Sequence, residues 1–342
     1  MVRRLISMLC VIGAFAAFAG AATAAKLAYV TGGVKTTVWL AGVNGKGGKK
    51  LGPGTAPLLA PNGSSVAATL FGPKGPGLAI YTPGAATKKY FAGAQAVTSA
   101  VAWSPDSRYL AVSLSSTKAS GKGSSLAVID TSNGTVKTIV HGSVCGASFA
   151  PTGSDRLTYA ASTGTQQCFT HKVNVFTANA DGTGTRQITT DGRSLNPIWG
   201  PRSIVFDTET LRKNDAPIYQ LVTMRPDGSH RVQITHMKIP KLVSGLAPLQ
   251  VSADGKHLLA DYGGQDTSET WAVNLATRKA KQLKVAGQPV LPAALSTSGT
   301  TVLIAVGALD TSPKHGTVES IPFRGGHPTL LVKHAASPTW NK

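Results

Sequence analysis

A block of about 45 residues recurs along this chain, and any fold proposed for it has to be assembled from copies of that block. Its clearest copy runs from Val101 to Ile139. The apolar opening Val101-Ala102-Trp103 meets a turn at Ser104-Pro105-Asp106-Ser107 and then a strand-like run, Tyr109 to Leu114. After a small polar loop a third run follows, Leu126 to Ile129. The turn Asp130-Thr131-Ser132-Asn133-Gly134 leads to a fourth, Val136 to Ile139. Proline pre-sets φ, aspartate bonds its own backbone and Asn-Gly accepts positive φ, so each turn has a mechanism. Four short β runs joined this way predict one antiparallel sheet the size of a propeller blade.

The large residue two places before the first turn marks the register of the copies. It is Leu59, Trp103, Phe149, Trp199, Val251, Leu295 and Trp340, at spacings of 44, 46, 50, 52, 44 and 45 residues. The turn after the marker reads Ala60-Pro61-Asn62-Gly63, Ala150-Pro151-Thr152-Gly153 or Ser252-Ala253-Asp254-Gly255 in other copies. The second turn returns as Asn179-Ala180-Asp181-Gly182 and Arg225-Pro226-Asp227-Gly228. Glycine and proline punctuate the chain too densely for long helices.

Two of the later copies end in Gln187-Ile188-Thr189 and Gln233-Ile234-Thr235. Together with Trp-Ser-Pro-Asp and the Asp-Gly turn, this resembles the WD40-like (PD40-type) propeller repeats of TolB-type proteins. The resemblance covers nearly all of the chain after residue 26 and implies an all-β propeller. TolB-type proteins carry a separate α/β domain ahead of the propeller, and no segment here fits one. The likeness is to the propeller part only, and no TolB partner is carried over with it.

The two ends predict how the ring closes. Ser337 to Asn341 is a first strand with nothing after it, while Leu27–Val30, Val38–Leu40 and Lys49–Leu51 are three runs with no first strand. Pairing them removes two open sheet edges. The expectation is seven four-stranded blades over residues 26–342, the closing one a composite, with six blades as the alternative. Residues 1–24 read as a secretory signal peptide: basic Arg3 and Arg4, an apolar stretch from Leu5 to Ala19, and Ala22-Thr23-Ala24 for cleavage. Retention of this segment as an anchor is the alternative. Past it, no apolar span is long enough for a membrane, and the protein is expected to be periplasmic, envelope-associated or secreted. Cys145 and Cys168 fall on one face of the third copy, and a disulfide there would add roughly 3 kcal/mol in an oxidising compartment.

In such a blade the regular turns share one face, and the long irregular b–c loops and d–a connections share the other. The irregular segments are 115–125, 162–172, 208–216, 262–269 and 307–316. Loops on a rigid scaffold carry function, so this loop face is the expected binding side. The net charge of +19, two of which (Arg3 and Arg4) belong to the leader, is dispersed rather than clustered. That suits solubility or attraction to anionic surfaces, and without an aromatic-rich basic platform it does not suit nucleic acid. Loop position and charge select Lys118, Lys122, His141, Arg193, Arg212, Lys213, Lys241 and Tyr262 as the binding set, with Phe169 and Tyr262 as exposed aromatics.

Catalytic signals are sparse. Of 15 acidic residues, Asp106, Asp181, Asp227 and Asp254 belong to turns. No Gly-x-Ser-x-Gly elbow and no P-loop occur, and His230 and His236 lack metal-ligand spacing. No cofactor or metal is expected. The reading is a monomeric, exported, non-enzymatic scaffold that presents its loop face to a protein or an anionic envelope polymer. A lyase, lactonase or glycan hydrolase working in the central channel is the first alternative. A carbohydrate- or anionic-polymer-binding module is the second.

Overall fold

A computed structural model describes residues 25–341, apart from 34, 73–74, 91–94, 117–124, 154, 163–171, 214–216, 265–267 and 308–314. The predicted leader, with Arg3 and Arg4, lies outside the described residues, as do Lys118, Lys122, Cys168 and Phe169. The described residues hold strands and no helix, and no helix among them is long and apolar enough to cross a membrane.

Of the strands among the described residues, 28 form seven sets of four, and Lys284–Val285 and Gln288–Pro289 pair as a small hairpin between blades 5 and 6. Blades 1 to 7 have as inner strands Thr55–Leu59, Gln95–Trp103, Val144–Phe149, Ser194–Trp199, Val243–Val251, Leu291–Leu295 and Ala335–Trp340. All seven sequence markers are therefore the last residue of an inner strand. Blade 7 is the composite: Ala335–Trp340 pairs antiparallel with Lys26–Gly32, which pairs with Thr36–Gly42 and then Lys49–Pro53. Leu27 stands opposite Trp340 and Thr31 opposite Ala335.

Side-chain alternation explains how the blades stack. Along Tyr109–Ser116, Leu110, Val112 and Leu114 pack toward blade 1, while Ala111 packs toward blade 3. The same period-2 split in every second strand yields seven hydrophobic clusters, each shared by two neighbouring blades. One joins blade 6 to blade 7 through Leu303, Val318, Tyr29 and Trp340, and another joins blade 7 to blade 1 through Val38, Leu40, Val66 and Tyr81. The chain of clusters returns to its start, so the core is a ring.

Local side-chain bonds account for the repeated words. Buried Ser104 donates its hydroxyl to Asp106 at 2.6 Å and accepts the Tyr109 N–H at 2.8 Å. Ser252, Asp254 and His257 repeat this. In Gln-Ile-Thr, the Thr189 hydroxyl accepts the Val175 N–H and the Thr235 hydroxyl accepts the Leu221 N–H, both at 2.8 Å. The threonine stands in for a backbone carbonyl, which lets an outer strand of two residues suffice. Every pairing of an inner strand with its neighbour carries a register shift. Such bulges bend and twist the strand.

Candidate functional site: the seam between blades 4 and 5

The unusual chemistry collects on the loop face where blade 4 meets blade 5. Their sheets touch through one parallel pair, Tyr219 with Gly245. Gly245 has φ +104°, and a Cβ there would lie 2.5 Å from the Tyr219 carbonyl oxygen, so glycine is what allows the contact. The outer strand Val232–Gln233 is followed by a long irregular connection to Val243. Two side chains hold its backbone. The Gln220 amide donates to the Met237 carbonyl at 2.8 Å and accepts the Met237 N–H at 3.2 Å. The Arg212 guanidinium donates to the carbonyls of Ile239, Pro240 and Val243 at 2.8–3.1 Å. Ile234, Met237, Trp271 and Ala280, with His236 and Arg278, line a pocket of about 420 Å³ on the same seam.

Behind the connection lie buried carboxyls. Strand Ile204–Thr210 reads Ile-Val-Phe-Asp-Thr-Glu-Thr, placing Asp207 and Glu209 on one face at i, i+2. They are 1% and 5% exposed. Asp207 Oδ2 accepts from the Asn196 amide at 3.3 Å, and Oδ1 has no hydrogen-bond partner among the described residues. Burial pushes the Asp207 carboxyl up to about 7, with the Glu209 charge adding to the rise. Burial, helped by Glu209 and Asp207, raises the Tyr219 phenol. In blade 5, burial raises Asp261, which accepts the Ser268 hydroxyl at 2.8 Å. A carboxyl poised near neutrality can hold or release a proton. Among the described residues, however, no three His, Cys, Asp or Glu side chains group as a metal site.

The predicted binding residues divide. Lys213 and Lys241 are exposed at this seam. Arg212 is there too, but half-buried, and its guanidinium is spent on the 239–243 backbone rather than offered to a partner. Tyr262 corrects the expectation of an exposed aromatic: it is 9% exposed and packs on Trp271 with ring centroids 5.4 Å apart. The strand His257–Gly264 runs farther than its sequence suggested, so Tyr262 belongs to the sheet rather than to a loop. Likewise residues 208–210 are strand. Arg193 is exposed beside this cluster, its carbonyl accepting the Glu209 N–H at 2.9 Å, whereas His141 is exposed on the loop face at blade 2, with its Nδ1 3.1 Å from the Ser125 hydroxyl. Cys145 is buried at the start of its inner strand and does not stand free.

No protein-family profile matches the chain, and no curated protein matches it. Solved structures do. TolB from Acinetobacter baumannii superposes over 94% of this chain and 67% of its own length, with TM-score 0.54 and 16% identity. The fold is that of a TolB-like β-propeller. This TolB-like ring is also similar to oligogalacturonate lyase in complex with manganese, at TM-score 0.59 and 13% identity over 86% of this chain and 81% of that one. The propeller domain of the trilobed protease from Pyrococcus furiosus matches at TM-score 0.57 and 12% identity, over 82% and 84% of the two chains. That domain is described as having an open velcro topology, whereas here the last strand pairs with the first. One ring thus serves TolB, a lyase and a protease, so function has to be argued from the seam and the faces.

Proposed function

We propose that the protein is an exported, non-enzymatic, monomeric propeller scaffold whose loop face docks a protein or an anionic polymer of the cell envelope, with blades 4 and 5 at the centre of the contact. The observation that carries this reading is the basic rim around a braced irregular connection at the seam of blades 4 and 5. On the turn face, Asp106, Asp181, Asp227 and Asp254 are engaged by their own turns. On the loop face, Lys213, Lys238 and Lys241 are exposed around a connection fixed by Arg212 and Gln220. Cys145 is proposed to pair with Cys168, tying a b–c loop to blade 3, consistent with export.

Crosslinking in intact envelopes tests the docking. The double substitution Lys213→Glu, Lys241→Glu is expected to abolish the crosslinked species, while Lys256→Glu on the turn face leaves it intact. Equal crosslinking by all three proteins would defeat the reading.

A lyase is the second reading, favoured by the Asp207 carboxyl near neutrality beside Glu209, both buried on the second strand of blade 4. Its test is the ultraviolet absorbance of unsaturated uronides from oligogalacturonate, with and without added manganese. Product formation that vanishes in Asp207→Asn would replace the scaffold reading with this one.

A further inference from the structure

Three large apolar side chains protrude from the loop face. Phe71, near the end of the second strand of blade 1, is 76% exposed. Leu211, just past the second strand of blade 4, is 46% exposed, and Leu242, just before the inner strand of blade 5, is 64% exposed. Leu242 is held at φ +64°, a conformation costly for leucine. Arg212 draws the two leucines together, since it follows Leu211 in the chain and bonds the carbonyls on both sides of Leu242. Blade 1 and the seam between blades 4 and 5 lie half a ring apart.

Charge at the seam has one dominant sign. The segment 236–243 contains Lys238 and Lys241 and no acid, and Lys213 follows Arg212. The described acids of this end are withdrawn. Asp207 and Glu209 are buried, Asp191 is bound by Arg231 at 2.5 Å, and Glu269 accepts the Trp271 indole N–H at 3.1 Å. Asp215, in the 214–216 segment, lies outside the described residues.

From this we infer that the loop face lies flat on an anionic lipid surface. Phe71, Leu211 and Leu242 enter the headgroup layer, and Lys213, Lys238 and Lys241 meet the phosphates. A planar partner is favoured over a peptide because Phe71 and the Leu211–Leu242 pair stand on opposite sides of the ring, where one extended segment would not touch them together. Basic residues beside shallow apolar insertions are the chemistry of peripheral membrane binding. The inference rests on the loop-face reading above and names lipid as what that face meets.

The experiment is co-sedimentation of the protein with vesicles of phosphatidylcholine alone and of phosphatidylcholine mixed with phosphatidylglycerol. Binding is expected only to the mixed vesicles, weakening as salt rises. Lys213→Gln, Lys238→Gln and Lys241→Gln should each weaken it about fivefold. Phe71→Ser and Leu242→Asn should each weaken it about tenfold, asparagine being chosen because it tolerates positive φ. Lys256→Gln, on the turn face, should change nothing. Loss in Lys256→Gln equal to that in Lys241→Gln, or full binding by both Phe71→Ser and Leu242→Asn, would overturn the proposal in favour of diffuse charge attraction. If the wild-type protein ignores both vesicles yet still crosslinks in envelopes in a Lys213- and Lys241-dependent way, the lipid inference falls while the docking reading stands.

Discussion

The closing seam and the seam between blades 4 and 5 are built from opposite materials. Blade 7 is sealed by regular pairing and apolar packing: Trp340 opposite Leu27, with Tyr29, Leu303 and Val318 around the indole. Asn341 extends the seal, accepting the Lys26 N–H at 2.6 Å and donating to the Pro61 carbonyl at 3.0 Å. The other seam joins its sheets through one parallel pair, braces an irregular connection with Arg212 and Gln220, and buries Asp207 and Glu209 behind it. Apolar burial contributes roughly 25 cal/mol per Å² without directional demands. Buried carboxyls oppose stability unless matched. A fold that places both in one ring keeps apolar sealing at the ends of its chain and buried charge two and a half blades away.

The comparison breaks most sharply at the closing strand. Trp340→Ala is expected to cost about 3–5 kcal/mol in urea denaturation, the range for truncating a buried aromatic. Deleting Ala335–Asn341 should remove cooperative unfolding, since blade 7 loses its inner strand and with it the packing of Ala335, Ala336 and Trp340 toward blades 6 and 1. Unchanged midpoints in either protein would mean that the ring does not depend on its composite blade. Gly245→Val probes the opposite seam. With φ +104° and the Tyr219 carbonyl 2.5 Å from the new Cβ, it should cost about 3 kcal/mol. Gly47→Val, with φ +69° but nothing within 4 Å of its Cβ, isolates the backbone part and should cost less.

Acid separates the seams next. The Asp207 carboxyl has a folded pKa of about 7 against an ordinary 3.8. The folded state therefore binds the proton more tightly than the unfolded state. This contribution is fully present below about pH 4 and is lost as pH rises through about 7. Stability should fall by about 4 kcal/mol across that window, and Asp207→Asn should flatten the slope and match or exceed the wild type at pH 8. A slope that survives the substitution would move its origin elsewhere, with Asp261 as the next carboxyl raised by burial.

The ring was legible because its determinants are local. Ser104 and Asp106 close a turn within a few residues, Thr189 and Thr235 finish an outer strand, and every marker residue ends an inner one. The seam was less legible because its determinants are remote. Arg212 reads as a surface cation until residues about 30 positions later bring carbonyls to it. Tyr262 reads as a loop aromatic because Gly263 and Gly264 suggest an early end to a strand that in fact continues. The Asp-x-Glu pair in Ile204–Thr210 was the available signal: two acids two residues apart inside a β run must share a face. Which face, and that a neighbouring blade would cover it, only the packing decides.

Arg212 gives the finest test of the contrast. It donates to three backbone carbonyls of the 239–243 stretch and belongs to none of the seven apolar clusters, so Arg212→Ala should lower global stability by only about 1–2 kcal/mol. Its main effect should be local. Amide hydrogen exchange should accelerate across 237–243, while the closing pairs Leu27–Trp340 and Val30–Ala336 keep their protection. Arg212→Lys supplies the charge without the planar fork and should recover only part of the protection, because one ammonium does not reproduce three fixed donor directions. Acceleration spread evenly around the ring would mean that the 4–5 seam and the closing seam open together. The contrast between the two seams would then dissolve.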